Sequence, residues 1–309
     1  MSSSSVLKTL SPPHHNGQSV STATAALEAF QLSGKEETET LAFLAKRPLY
    51  TVIMSGLIRD NGLINSLNRG VFYACRDEHG QLAGVALIGH AVYVETRAQA
   101  AIEAFARLVQ TAAAAGTQQI PHMILGESEQ VARLWQCCAE AGGRVRRACR
   151  EVLLEQRWPI AMRDIMRGLR PAILDELPCV MTAQAAMAFE ESGVDPLEVD
   201  PLGFRLRCAR RIEQNRVWVL IEDEQLIFKA DVISDTPEVV YLEGVYVAPE
   251  KRGKGYGLRC LSQLNRGLLA RAQSVCLLVN ESNQPALDFY ARAGFKQRGY
   301  LSTIFFQRT

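Results

Sequence analysis

A β-branched strand in the second half of the chain runs directly into a glycine-rich turn and then into a helix. The segment reads Tyr241-Leu-Glu-Gly-Val-Tyr-Val-Ala-Pro-Glu-Lys-Arg-Gly-Lys-Gly-Tyr-Gly257. Glycines allow positive φ and let a ligand approach the backbone closely. The helix that follows presents unpaired N–H groups at its positive end. Together these features predict a diphosphate site at the start of a helix.

Two common phosphate motifs do not fit this glycine spacing. A dinucleotide fingerprint needs GxGxxG, whereas the turn reads GxGxG from Gly253 to Gly257. A P-loop needs GxxxxGK followed by Ser or Thr, and here Gly255 follows the lysine. The turn therefore belongs to a different class of phosphate-binding motif.

The pattern that fits is the acetyltransferase signature (R/Q)xxGx(G/A), present as Arg252-Gly-Lys-Gly255-Tyr-Gly257. The strand before it ends in Val247-Ala-Pro249, and a later β-rich stretch ends at Asn280. The chain then reads Asn283-Gln-Pro-Ala-Leu-Asp-Phe-Tyr290-Ala-Arg-Ala-Gly294-Phe295. With both motifs in this order, residues 200–306 resemble an N-acetyltransferase of the GNAT superfamily.

This resemblance implies that acetyl-CoA binds along the strand and the turn. Val245 would donate its N–H to the thioester carbonyl, and Val247 would pair with the pantetheine arm, with Tyr246 between them. The pyrophosphate would be held by the backbone amides of Arg252, Gly253, Lys254, Gly255, Tyr256 and Gly257. Asn283 and Tyr290 would flank the pantetheine and its sulfur.

The resemblance also implies direct attack of a neutral amine on acetyl-CoA, with two catalytic residues. Tyr290 would protonate the leaving thiolate; its alternative role is that of a core aromatic residue. Glu243 lies two residues before Val245 on the same strand face, where it could take the amine proton directly or through water. The alternative for Glu243 is a solvated carboxylate, and Tyr241 is a lesser candidate for the base.

The first half of the chain repeats the element order of the second. Val92-Tyr-Val94 matches Val245-Tyr-Val247 at an offset of 153 residues. We therefore predict an α/β fold with two GNAT-like domains, each a mixed, mostly antiparallel central sheet flanked by helices. The predicted division is a disordered Ser-rich tail at 1–34, a first domain at 35–157, a linker at 158–170 and a catalytic domain at 171–309.

The first domain lacks the glycines of the turn. In the same alignment Gln99 corresponds to Arg252, but Ile102 and Ala104 stand where the second half has Gly255 and Gly257. An isoleucine side chain would obstruct a diphosphate. We therefore expect a degenerate domain that serves as a scaffold, forms an interface or shapes the acceptor cleft.

The acceptor is expected to be an amine of a small molecule or peptide. An acidic stretch precedes the second predicted strand set and would attract a cation; its carboxylates are Glu190, Glu191, Asp195, Glu198 and Asp200. A solvated acidic loop is an equal alternative. Two other functions also stay open. One is a non-catalytic acyl-CoA-binding or regulatory module, and the other is a tandem enzyme that transfers another acyl group.

Charge and hydrophobicity argue against several classes of binding partner. The net charge of +1 argues against a nucleic-acid partner or an anionic membrane surface. No apolar run approaches the roughly 20 residues that span a bilayer, and the N-terminal 19 residues lack the apolar core of a signal peptide. Because no signal peptide is recognisable, we expect a cytoplasmic protein. Its eight cysteines form no CxxC pair, and we expect no metal. A homodimer is compatible with this sequence.

Overall fold

The computed structural model of the chain describes residues 26–114, 121–139, 144–161 and 165–306. It divides into two compact units. The first unit takes the chain up to Leu153 together with the C-terminal segment from Gly299, and the second unit is Leu154–Arg298. None of the helices in these ranges combines the length and apolarity needed to cross a bilayer.

The first unit contains a mixed sheet with strand order β1-β2-β3-β4-β5-β12-β6, in which β12 (Lys296–Phe306) is the final strand of the chain. Within it only the β4–β5 pair is parallel among the described ladders. The elements that begin in this unit are β1 (Ala29–Gln31), α1 (Glu37–Leu44), α2 (Pro48–Asn61), β2 (Gly70–Arg76), β3 (Leu82–Gly89), β4 (Ala91–Thr96), α3 (Gln99–Ala114), β5 (Met123–Glu127), α4 (Ser128–Ala139) and β6 (Val145–Gln156). The last three residues of β6 belong to the second unit.

Alternating side chains give this sheet a core on each face. On β3, Val85 and Leu87 pack with a cluster that includes residues of α1 and α2, whereas Ala86 and Ile88 pack with a cluster that includes residues of α3 and α4. Successive strand residues point to opposite faces, so a strand covered on both sides must be apolar throughout. Both faces of the sheet are therefore covered by helices.

The second unit repeats the plan with strand order β11-β10-β9-β8-β7. Its β10–β11 pair is parallel and its other described ladders are antiparallel. The elements are β7 (Arg170–Pro171), α5 (Leu177–Ser192), α6 (Pro196–Val199), α7 (Pro201–Glu213), β8 (Val217–Glu222), β9 (Gln225–Asp235), β10 (Val239–Val247), α8 (Tyr256–Leu269), β11 (Ser274–Asn280), α9 (Gln284–Arg292) and β12 (Lys296–Phe306). The predicted α/β fold class, with a mixed and mostly antiparallel sheet flanked by helices, is confirmed.

Two predicted boundaries need correction. The tail placed at 1–34 ends too late, because β1 pairs with β2 and Leu32 is buried in the core; residues 1–25 lie outside the described residues. The final strand, placed in the domain at 171–309, pairs with β5 and contributes its residues from Gly299 to the first unit. The apolar pattern of a strand identifies its faces but not its hydrogen-bonding partner.

A core truncation in β12 should therefore destabilise the first unit. Ile304 is fully buried in the same cluster as Phe105 of α3. We expect Ile304→Ala to cost about 2–5 kcal/mol of unfolding free energy and to raise amide hydrogen exchange in β3 and α3. Leu264→Ala, a buried position of α8, is the matched control and should raise exchange in the second unit. Faster exchange of β10 and α8 in Ile304→Ala would contradict the observed pairing.

Candidate functional site

The parallel strands β10 and β11 separate partway along their length. Their ladder pairs Val239–Tyr241 with Ser274–Cys276 and ends there, although β10 continues to Val247 and β11 to Asn280. Backbone groups of β10 beyond Tyr241 therefore have no β11 partner in this ladder. The separation leaves a gap between two strands in which an extended ligand could pair with the backbone.

A bulge on the opposite side of β10 turns one peptide out of the regular ladder. The β9–β10 register breaks between Glu243 and Tyr246, and Gly244 has a φ of 60°. Lys229 Nζ donates to the Gly244 carbonyl oxygen at 3.4 Å. In a trans peptide the next N–H points opposite to the carbonyl, so the Val245 N–H points away from Lys229. Val245 is thus a backbone donor outside the β9 ladder.

After the bulge, β10 pairs with β9 again, and its backbone groups point alternately toward β9 and away from it. Tyr246 pairs with Lys229, and the Ala248 N–H donates to the Ile227 carbonyl at 3.0 Å. Antiparallel pairing alternates the direction of the backbone groups, so those of Val247 face away from β9. Its carbonyl accepts a bond from Arg252 Nε at 3.1 Å.

The glycine-rich turn forms an open concave backbone at the start of α8. Gly253 and Gly255 have φ values of 72° and 82°, and Gly255 is the N-cap of α8. No atom lies within 4 Å of a Cβ built on Gly253, and only Arg259 Nε, at 3.9 Å, approaches one built on Gly255. The first amides of a helix have no intrahelical acceptor. With the exposed cations of Arg252 and Lys254, the turn fits an anionic group such as a diphosphate.

Tyr256 and Gly257, the last two residues of the turn motif, contact neighbouring elements of the unit. A Cβ on Gly257 would lie 2.9 Å from Val247 Cγ2 and 3.3 Å from Phe289, so a glycine is needed where α8 crosses β10 and α9. The Tyr256 hydroxyl donates to Glu222 at 3.2 Å, and its ring lies under Lys251 and Arg259. These contacts hold the start of α8 in place.

The Asn and Tyr of the second motif lie at the N-cap of α9 and within α9. The exposed Asn283 side chain accepts from the Ala286 N–H at 3.2 Å and so caps the helix. Tyr290 packs edge-on against Phe289 and Phe295. Burial raises the pKa of Tyr290 above its ordinary value, and the negative charge of Glu191 raises it further. The phenol therefore keeps its proton and can act as a donor.

Glu243 is exposed on β10, one residue before the bulge. The buried Tyr241 donates its hydroxyl to Glu243 Oε1 at 2.7 Å, so the two residues proposed as candidate bases form one hydrogen-bonded pair. The tyrosine orients the carboxylate at the surface. This geometry leaves Glu243 as the proton acceptor of the pair.

The acidic stretch before β8 is only partly available to a ligand. Asp195 Oδ1 accepts from the Leu197 N–H at 2.8 Å and caps the short α6. Asp200 caps α7 and forms an ion pair with Arg207 at 3.0 Å. Glu190, Glu191 and Glu198 are exposed.

Lys229 was not predicted from the sequence. It is fully buried on β9, where its Nζ lies 2.8 Å from Asp231 Oδ1 and donates to Gln184 Oε1 at 2.6 Å. A lysine and an aspartate two residues apart in the otherwise apolar Leu226-Ile-Phe-Lys-Ala-Asp-Val-Ile233 are the signal that could have revealed this pair.

The first unit fills the corresponding place with side chains. Its β4 and β5 also pair over only three residues and then separate. Beyond that point Arg47 binds Glu95 of β4 and Glu127 of β5, each at 2.9 Å. Helix α3 begins at Gln99 without a glycine turn, and its residue Ile102 is buried in the core. A side-chain ion cluster thus bridges the gap between these strands.

Comparisons with known proteins agree with this fold. Residues 213–297 match the family model described as an acetyltransferase (GNAT) domain. A Drosophila malonogaster protein of known structure is 12% identical, with a TM-score of 0.61 over 91% of this chain and 98% of its own. A GCN5-related N-acetyltransferase from Sphaerobacter thermophilus is 14% identical, with a TM-score of 0.58 over 92% and 96%.

A tandem GNAT protein from the clavulanic acid biosynthesis pathway is 15% identical, with a TM-score of 0.53 over 90% of this chain and 98% of its own. At such identities the likeness is one of fold. No curated protein matches the sequence.

Proposed function

We propose that the second unit, in which residues 213–297 match the GNAT acetyltransferase domain model, transfers acetyl from acetyl-CoA directly to a primary amine of a small molecule or peptide. The observation that carries this proposal is the gap between β10 and β11, which leads to the open backbone at Gly253 and Gly255. A strand edge followed by a helix N-terminus can bind an extended arm that ends in a diphosphate.

Each part of the site has a role in this proposal. The amides from Arg252 to Gly257 hold the pyrophosphate, with the Arg252 and Lys254 side chains at its rim. Val247 presents its N–H and carbonyl to the pantetheine arm, and Asn283 flanks the arm from the start of α9. Arg252 Nε already donates to the Val247 carbonyl oxygen. Arg252 must therefore share this oxygen with the pantetheine amide or move away from it.

Acetyl-CoA supplies an activated thioester, and the protein supplies a hydrogen bond and two proton transfers. The Val245 N–H donates to the thioester carbonyl oxygen, where negative charge develops during attack. Glu243 takes a proton from the amine, directly or through water. Tyr290 gives its proton to the departing sulfur, and burial raises the pKa of this phenol so that it is protonated before transfer.

The acceptor in this proposal is a cationic amine. Glu190, Glu191 and Glu198 present carboxylates at the surface of the second unit, and such a surface raises the local concentration of cations. The first unit, in which Arg47 bridges the separated strands and Ile102 replaces the turn glycine, binds no acyl-CoA in this proposal and acts as a scaffold.

The proposal is tested by titrating the full chain with acetyl-CoA in a calorimeter and then following thiol release with a panel of primary amines. We expect one binding site per chain and amine-dependent thiol release. Binding without transfer to any amine would favour the acyl-CoA-binding module, and tighter binding of a longer acyl-CoA would favour another acyl donor. Absence of binding would refute the proposal.

The base is tested by Glu243→Gln. We expect kcat/KM for the best amine of the panel to fall about 100-fold near neutral pH, a typical contribution of a general base. The loss should shrink as pH rises, because a growing share of the amine is then already neutral. Glu224→Gln, an exposed carboxylate in the β8–β9 turn, is the matched control and should behave as wild type. A pH-independent loss in Glu243→Gln would argue against a base.

A further inference from the structure

The buried ammonium of Lys229 lies directly behind the bulge in β10. Its Nζ contacts Asp231 Oδ1 at 2.8 Å, Gln184 Oε1 at 2.6 Å and the Gly244 carbonyl oxygen at 3.4 Å. A charge this deeply buried is costly unless it is paired and hydrogen-bonded, and here three acceptors surround it. Neither the proposed proton transfers nor the pyrophosphate site uses this group.

We propose that Lys229 is a positioning residue that orients the peptide between Gly244 and Val245. By attracting the Gly244 carbonyl to one side, it directs the Val245 N–H to the other, toward the carbonyl of the bound thioester. The inference rests on the proposed function, because the orientation matters only if Val245 donates to that carbonyl.

Gly244 itself leaves the orientation of this peptide open. Gly244 has a φ of 60°, and glycine occupies positive and negative φ about equally well. The backbone alone therefore does not select one orientation of the peptide between Gly244 and Val245. This peptide lies within the break in the β9–β10 register, so the ladder does not fix its orientation either. The ammonium favours the orientation in which the carbonyl oxygen faces it.

The surrounding elements hold Lys229 in place. Gln184 belongs to α5, and Arg211 of α7 contacts Asp231 Oδ2 at 3.4 Å. Asp231 also lies opposite Glu243 in the β9–β10 register. Helices α5 and α7 are thus connected to β10, the strand that carries the Val245 donor, through the buried Lys229–Asp231 ion pair.

The test is a double variant, Lys229→Met with Asp231→Asn, which removes both charges so that neither is left unpaired. The readout is the infrared carbonyl stretch of bound 1-¹³C-acetyl-CoA, which reports the hydrogen bond to the thioester without an amine acceptor. Wild type should lower the stretch relative to free acetyl-CoA. The variant should return it toward the free value, with Kd changed by less than about threefold because the turn at Gly253 and Gly255 is intact.

Arg298→Met with Glu155→Gln is the matched control, since it removes another ion pair with a buried carboxylate in the second unit. It should lower the melting temperature but keep the carbonyl shift. If the Lys229 double variant does not fold, Gly244→Ala replaces it, because its Cβ would lie 2.8 Å from Lys229 Nζ and 2.9 Å from Gln184 Oε1. Gly244→Ala should also abolish the shift.

The outcomes separate the two proposals. A carbonyl shift that persists in the folded Lys229 variant would overturn the positioning role while leaving the transferase proposal intact. Acetyl-CoA bound by wild type without any carbonyl shift would overturn both the Val245 donor and its positioning. Failure of wild type to bind acetyl-CoA at all would overturn the proposed function and, with it, this inference.

Discussion

Replacing Gly255 with isoleucine should abolish acetyl-CoA binding by the chain. Gly255 has a φ of 82°, where a side chain adds about 1–2 kcal/mol of strain. Relief of this strain would rotate the amides at the start of α8 away from the diphosphate. We expect Kd to rise at least about 100-fold, which corresponds to about 2.7 kcal/mol. Calorimetric titration measures this change directly.

The control is the same substitution elsewhere on the helix. Gly267 is exposed on α8, and no atom lies within 4 Å of a Cβ built on it. Gly267→Ile should keep wild-type affinity and a stoichiometry of one site per chain. If Gly255→Ile kept half of the bound acetyl-CoA because wild type has two sites, the first unit would not be degenerate.

Removing the Tyr290 hydroxyl should slow transfer without weakening acetyl-CoA binding. A general acid typically contributes 10²–10⁴-fold to a rate, so we expect Tyr290→Phe to lower kcat about 100-fold or more. Kd for acetyl-CoA should stay nearly unchanged, since the ring and its packing against Phe289 and Phe295 remain. Tyr300→Phe, the same deletion in the first unit, should leave both quantities unchanged.

The raised pKa of Tyr290 also predicts the alkaline limit of the reaction. Tyrosine ordinarily titrates near 10.0, and burial moves the folded value upward. The proton donor is therefore retained through pH 10.0, and kcat should show no decline from its loss below that pH. The stability contributed by burying the neutral phenol is complete below 10.0 and is lost as the pH rises above it. A wild-type decline in kcat near pH 9 that Tyr290→Phe removes would contradict this assignment.

The features of the site that sequence alone could predict are local ones. The order of strand, glycine turn and helix can be predicted from neighbouring residues, because positive φ, helix capping and side-chain alternation each depend on only a few consecutive positions. The two motifs therefore predicted the positions of β10, α8 and α9, and they predicted that Gly253 and Gly255 lie in the turn with positive φ. The observed sheets also match the predicted mixed pairing, although the individual catalytic roles of Glu243 and Tyr290 stay predictions.

Features that depend on distant residues were decided by the tertiary structure. The final strand has a clear apolar pattern, but only folding shows that it pairs with β5 and so belongs to the first unit. Lys229 becomes a candidate only when Gln184 of α5 and the bulge at Gly244 surround its ammonium. Likewise Arg47 closes the first unit's gap by joining carboxylates from two strands. Sequence periodicity tells which face a residue occupies, whereas its partner is selected by packing between segments far apart in the chain.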